Sequence, residues 1–141
     1  MSNENRDLIV LGAGPGGYMA AIRAAQLGRK VSIIEREALG GVCLNWGCIP
    51  TKALLTSAKL LHQIKNSSQF GLSTDGVKVD FPAIIARSRT VAERLSAGVK
   101  FLMKKNQVEV LNGNGVLEGQ NKISVQSSDG SVKQYSYKDI I

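Results

Sequence analysis

Cys43 and Cys48 are the only cysteines in this chain of 141 residues, and four residues separate them. They sit in the run Gly40-Gly41-Val42-Cys43-Leu44-Asn45-Trp46-Gly47-Cys48-Ile49-Pro50-Thr51-Lys52. Two thiols this close, in a chain that shows no secretion signal, point to reversible disulfide chemistry, because structural disulfides rarely persist in a reducing cytosol. Five residues apart on a regular helix, their Cα atoms would be roughly 8 to 9 Å apart, whereas a disulfide needs roughly 4.4 to 6.8 Å. The backbone between them must therefore leave a regular helix, and Gly47 and Pro50 allow that. A helix beginning near Pro50 puts Cys48 at its positive end with Lys52 nearby, a setting that stabilises a thiolate. Cys43, in the glycine-rich turn, is the sulfur placed to meet an incoming thiol. The competing readings are a zinc half-site or two unrelated buried cysteines. Two Cys and one His (His62) are too few for the usual four-ligand zinc site, so no metal is expected.

Ahead of the cysteines stands the element that must bring a reaction partner to them. Asp7-Leu8-Ile9-Val10-Leu11 reads as a buried parallel strand and runs directly into Gly12-Ala13-Gly14-Pro15-Gly16-Gly17. The GxGxxG glycines have separate tasks: Gly12 for the tight turn, Gly14 for close approach of a pyrophosphate, and Gly17 for packing a helix on the strand. An Ala-rich helix follows from Tyr18 to Leu27 and stops at Gly28, so its N-terminus faces the phosphates. Val31-Ser32-Ile33-Ile34-Glu35 is the second strand, and Glu35 ends it at the distance expected of an acid that accepts hydrogen bonds from a ribose diol. Strand, glycines, helix, strand and acid in register specify a dinucleotide. Whether it is FAD or NAD stays open at this level.

The net charge of +7 comes from dispersed bases with few aromatic residues among them, which argues against nucleic acid. No apolar run spans a bilayer, and the first strand begins too early to leave room for a signal or transit peptide. A cytoplasmic protein that binds no membrane is expected.

Further along, 53–65 reads as a helix with Leu54, Leu55, Ala58, Leu61 and Ile64 on one apolar face. His62 lies off that stripe and without a local partner, facing solvent. Asp80 caps a long helix from Phe81 to about Lys105, with Pro82 in its first turn and Ile84, Ile85, Val91, Leu95, Val99 and Leu102 on its buried side. Val108 to Leu111 is a third strand. Three short segments near 116–118, 122–126 and 133–137 form an antiparallel meander, and Asp139-Ile140-Ile141 reads as a new strand beginning, with an unpaired edge. The fold class is α/β, with a βαβ unit, redox helix and third strand over 1–112 and the meander over 113–141, incomplete at the C-terminus.

Taken together, the glycine unit and the Cys-x4-Cys turn resemble the N-terminal part of the FAD-dependent pyridine-nucleotide disulfide oxidoreductases, over essentially the whole chain. Ala53-Leu54-Leu55 after the turn is most similar to the branch that oxidises dihydrolipoyl groups, with glutathione- and mercuric-reductase types as rivals. A standalone nucleotide-binding or thiol module is the alternative from another class. The resemblance implies a Rossmann-like FAD-binding domain, with Gly12, Gly14 and Gly17 at the FAD pyrophosphate and Glu35 at its adenosine ribose. It places Gly41, Val42, Cys43 and Cys48 along the cofactor, Lys52 near the isoalloxazine N5, and Gly113 and Gly115 close to the adenine. Cys48 is implied to face the flavin and Cys43 to exchange with substrate, with NAD as co-substrate, a dihydrolipoyl domain of an acyltransferase subunit as partner, and a homodimer at full length. Val42, Thr51 and Trp46 depart from the residues most common in the family, which are Thr, Ser and Val. Family chains are roughly three times as long, with NAD and dimer-interface domains beyond this segment, and His62 does not match the family's catalytic histidine. This segment alone is expected to hold FAD weakly and not to turn over.

Overall fold

Leu8, Ile9 and Val10 are each at most 3% exposed, because the strand that carries them is covered on both faces. That strand, β1 (Glu4–Leu11), is central to the sheet in the computed structural model, which describes residues 4–141. On one side β1 pairs in parallel with β2 (Val31–Glu35), and β2 pairs in parallel with β3 (Glu109–Asn112). On the other side it pairs in parallel with β6 (Val132–Ile140). The first half of β6 is also the antiparallel neighbour of β5 (Lys122–Gln126), which pairs with β4 (Asn114–Gly119).

The strand order is β3-β2-β1-β6-β5-β4, yet the single residue Gly113 joins the two outermost strands. The meander therefore folds back over one face of the parallel strands. Ile9, Ile34 and Leu111 of that face meet Ile123, Val125 and Tyr135. Alternate residues point the other way. Leu8, Val10, Val31 and Ile33 pack under helices α1 (Pro15–Gln26) and α4 (Phe81–Lys105), through Ala21 and Ile22 of the first and Val99 and Met103 of the second. This is the Rossmann-like α/β arrangement that the sequence implies.

Between β2 and α4 the chain forms α2 (Gly41–Asn45), α3 (Cys48–Lys65) and a 3-10 turn at Ser67–Phe70. Asp80 caps α4 as expected, its Oδ1 accepting from the Ala83 N–H at 3.0 Å. The expected buried side of α4 is corrected in part: Val99 is buried as expected, and Ile84, Ile85 and Val91 are half-buried. Buried positions are Ser88, Ala92, Val99 and Met103, whereas Leu95 and Leu102 are exposed. Small side chains, Ser88 and Ala92, fill the contact face in the first half of the helix, and Val99 and Met103 reach the core further on. On α3 only Pro50 and Ala53 are buried. Leu54, Leu55, Ala58, Leu61 and Ile64 instead line an open apolar groove with Val77, Val79, Phe81 and Ile84. His62 is exposed as expected, but it does have a neighbour one turn on, with Asn66 Nδ2 3.4 Å from its Nε2.

The chain end is also corrected. Asp139 and Ile140 are not a new strand but the continuation of β6, in register with Leu8 and Ile9. Ile141 extends this pairing: its N–H donates to Ile9 O at 3.0 Å, and its carbonyl accepts from Leu11 N–H at 2.7 Å. At the opposite end of the strands, buried Arg6 donates to Ser32 Oγ at 2.7 Å and to Glu109 Oε2 at 2.6 Å, and lies over the Tyr135 ring. One guanidinium thus ties β1 to β2, β3 and β6. Among the described residues no helix is long and apolar enough to cross a membrane.

Candidate functional site

The loops leaving the carboxyl ends of β1, β2 and β3 converge, which is where ligands bind in sheets of this kind. Two backbone bonds fasten them: Gly12 N–H to Ile34 O at 2.8 Å and Gly113 N–H to Glu35 O at 2.9 Å. Gly17 sits where α1 crosses the glycine turn, and a Cβ there would lie 2.0 Å from Gly12 O. It is the helix-packing glycine. Gly14, by contrast, has nothing within 4 Å of the position a Cβ would take, so the approach to the N-terminus of α1 is open. Gly41, which begins α2 at φ +59°, is held against this turn, and a Cβ on it would come within 2.9 Å of Gly14 Cα.

Glu35 does more than the sequence assigns to it. Its Oε2 accepts the Ala13 N–H at 2.8 Å, and its Oε1 accepts the Glu37 N–H at 2.9 Å. The carboxylate thereby clasps the glycine turn to the end of β2. Each oxygen keeps acceptor capacity for a further donor, and the group lines an open cleft of about 350 Å³. Gly12, Gly41, Val42, Trp46, Gly113 and Gly115 line the same cleft. The glycine turn, Glu35 and the Gly113–Gly115 turn, remote in sequence, are therefore brought to one place. A dinucleotide fits this donor set: an open helix N-terminus for phosphate and a fixed carboxylate for a diol.

The thiol pair lies at the next break in the chain. Trp46 and Gly47 both donate their N–H to Val42 O, at 2.9 and 2.7 Å, and so close α2. Gly47 then adopts φ −112°, ψ −109°, outside the regions open to ordinary residues, and Cys48 is the first residue of α3. The departure from a regular helix that bridging needs is thus present, and Cys48 occupies the expected helix start. Cys43 is not in a turn, as the glycines imply, but within the short helix α2.

Both cysteines are free thiols, Cys43 half-buried and Cys48 exposed. Exposure therefore runs opposite to the expectation that Cys43 is the more accessible sulfur. The neighbouring Cys48 thiol, together with burial, raises the pKa of Cys43 above the ordinary thiol value. The Cys48 backbone N–H and the Lys52 ammonium pull the other way. Lys52 is exposed on the first turn of α3, within electrostatic reach of the pair but outside the residues that line the cleft.

Sequence reasoning missed Asn45 and Ser96. The Asn45 amide donates to Leu39 O at 3.1 Å and to Gly41 O at 2.9 Å, and its Oδ1 accepts from Ser96 Oγ at 2.7 Å. An Asn between two closely spaced cysteines is a signal for such a role, but its partner lies 51 residues away and no local pattern points to it.

Comparison with known proteins agrees with this geometry. Residues 6–141 match the family described as pyridine nucleotide-disulphide oxidoreductase. The chain is 56% identical over 138 residues to a dihydrolipoyl dehydrogenase of Zymomonas mobilis, covering 98% of this chain and 30% of that protein. It is 53% identical over 130 residues to a dihydrolipoyl dehydrogenase of Rhizobium etli, covering 92% of this chain and 27% of that protein. The crystal structure of LpdA from Mycobacterium tuberculosis superposes with a TM-score of 0.86 at 26% identity, over 95% of this chain and 30% of that one. The chain thus spans about a third of the length of the relatives it matches.

Proposed function

We propose, from the premise that this chain belongs to the pyridine nucleotide-disulphide oxidoreductase family, that it carries the FAD cleft and redox-active cysteines of a dihydrolipoyl dehydrogenase. One observation carries the reading: Cys43 and Cys48 flank the α2–α3 break, whose Val42 and Trp46 line the cleft that Glu35 and the glycine turns build for a dinucleotide. Family membership implies a flavin. FAD as that flavin, NAD as the co-substrate and the dihydrolipoyl domain of an acyltransferase subunit as the partner are our assignments.

In this reading the working form holds a Cys43–Cys48 disulfide. A thiolate of the dihydrolipoyl group attacks Cys43 Sγ, and Cys48 leaves as a thiolate at the helix N-terminus, which stabilises it along with Lys52. The second substrate thiolate attacks the mixed disulfide on the substrate's own sulfur, closes the lipoyl ring, and returns the bond's electrons to Cys43, which takes up a proton. Two electrons now reside on the cysteine pair. FAD, when bound, supplies the redox chemistry that carries this electron pair onward to NAD. Gly12, Gly14, Gly17 and the α1 N-terminus would hold its pyrophosphate, and Glu35 its ribose, with Val42, Gly113 and Gly115 walling the adenosine end. The exposure of Cys48 suits a sulfur that must face a flavin. Homodimerisation belongs to this reading, and the apolar side chains that α3 and α4 leave in water are surface of the kind an assembly covers.

The test is a titration of the chain with FAD, followed by flavin fluorescence. Saturable binding that ADP competes for, weakened about tenfold or more by Glu35→Gln through loss of charged acceptors, supports the reading. Binding that ADP does not compete for, or an affinity indifferent to Glu35→Gln, overturns it.

A further inference from the structure

We propose that Asn45 and Ser96 are positioning residues that clamp α2 to α4 and thereby set how readily Cys43 and Cys48 form their disulfide. The proposal rests on the thiol-pair reading above and deepens it.

Helix α2 has five residues and no side-chain cap at its start. A helix this short does not persist without outside support, yet it carries one of the two sulfurs. Its support comes from three sources, one of them a bond from Arg89 Nη1 of α4 to the Asn45 carbonyl at 3.4 Å. Leu44 is buried in the core at 7% exposure. Asn45 engages three positions of its side-chain amide at once, two as donor to the Leu39 and Gly41 carbonyls and one as acceptor from Ser96. The Ser96 Oγ is also 3.3 Å from Leu39 O. Ser96 belongs to α4, which is fixed by Val99 and Met103, at 5% and 1% exposure. The same helix reaches α3, where Arg87 donates to the Ala53 carbonyl at 3.1 Å. Both cysteine-bearing helices therefore take their positions from α4, and Cys43 does so through Asn45 and Ser96.

The consequence lies in the redox equilibrium. Forming the Cys43–Cys48 disulfide from two thiols requires that the sulfurs be held together, and any freedom of α2 in the dithiol state must be removed on closure. Releasing the clamp lowers the effective concentration of one sulfur at the other. With glutathione as reference the reaction balances: the two thiols and one oxidised glutathione give the protein disulfide and two reduced glutathiones.

The experiment equilibrates the chain in glutathione buffers, quenches by alkylation, and reads the mass of the tryptic peptide 37–52, which holds both cysteines. It is run on the unaltered chain and on Ser96→Ala, Ser96→Thr and Asn45→Asp, each first shown to be folded by circular dichroism. Ser96→Ala, which removes one hydrogen bond, is expected to lower the disulfide equilibrium constant by about three- to tenfold, the upper figure matching a rise of about 30 mV in potential. Asn45→Asp, which sets a carboxylate oxygen against two carbonyls, is expected to lower it further. Ser96→Thr keeps the hydroxyl and is expected to restore it. A constant unchanged in folded Ser96→Ala, or lowered equally in Ser96→Thr, overturns the clamp alone. Failure of the unaltered chain to form the disulfide overturns the clamp and the reading beneath it together.

Discussion

Gly14 and Gly17 are three residues apart, and the structure assigns them opposite sensitivities to the same added methyl group. At Gly17 a Cβ would lie 2.0 Å from Gly12 O and 3.4 Å from Val10 Cγ1. A contact that short cannot stand, so α1 must retreat by about 1 Å or more, and a gap of that size forfeits up to about half of each contact across it. Ala13 and Ala21, both at 0% exposure, lie in the layer that opens. We expect Gly17→Ala to cost about 3 kcal/mol or more, a large share of the roughly 5 to 15 kcal/mol that holds such a domain. At Gly14 nothing lies within 4 Å, and its backbone at φ −64°, ψ 179° is open to alanine. The weaker N-cap and the stiffer unfolded chain offset one another to within about 1 kcal/mol. The assay is urea unfolding followed by the fluorescence of Trp46, the only tryptophan, paired with the FAD titration. With a slope of about 2 kcal/mol per molar urea, Gly17→Ala moves the midpoint down by about 1.5 M. Gly14→Ala leaves the midpoint nearly in place but loses FAD binding, because its methyl stands where the pyrophosphate must come close. Equal midpoints for the two variants, or full FAD affinity in Gly14→Ala, would refute the reasoning.

Glu109→Ala is expected to destabilise the chain by about 2 to 4 kcal/mol in the same urea assay, because it removes the carboxylate that faces Arg6 while the guanidinium stays 3% exposed; a midpoint unchanged from the parent chain contradicts this. Asp7 gives a pH-dependent counterpart. Hydrogen bonds from Lys138 Nζ, at 2.6 Å, and Lys30 N–H, at 2.9 Å, hold its carboxyl below the usual carboxylate range. Its folded pKa is depressed, so its contribution is complete above the unfolded value of about 4 and is lost as pH falls from there through the folded value. The stability difference between the parent chain and Asp7→Asn should therefore be constant from neutral pH down to about 5 and shrink below about 4; a difference that grows on acidification contradicts it.

The βαβ unit was legible because each of its signals is local: a strand, three glycines, a helix stop and an acid, all within 35 residues. The Asp80 cap was legible for the same reason, and so was a helix beginning near Pro50, two residues after the observed start at Cys48. Helix α2 was not, since five residues carry no periodicity and its support comes from Asn45, Ser96 and buried Leu44. The buried face of α4 misled because Ser88 and Ala92 fit a close contact while the bulkier Leu95 and Leu102 do not. The continuity of β6 was hidden in Lys133-Gln134-Tyr135-Ser136-Tyr137-Lys138, which alternates like a surface strand. Its second half finds hydrogen bonds on β1, more than a hundred residues earlier. At the site, the position of Glu35 at the end of β2 could be read from spacing, but its clasp on Ala13 and Glu37 could not, because that depends on where the glycine turn comes to rest.

The claim that matters most is that Cys43 and Cys48 form a reversible disulfide within the folded chain. Oxidation with excess oxidised glutathione, alkylation, trypsin digestion and mass measurement of peptide 37–52 test it directly. The expected result is a peptide lighter by two hydrogens that carries neither alkyl group nor glutathione after oxidation, and two alkyl groups after subsequent reduction. A folded chain whose peptide 37–52 takes two alkyl groups after oxidation, or retains a glutathione on each cysteine, would contradict it.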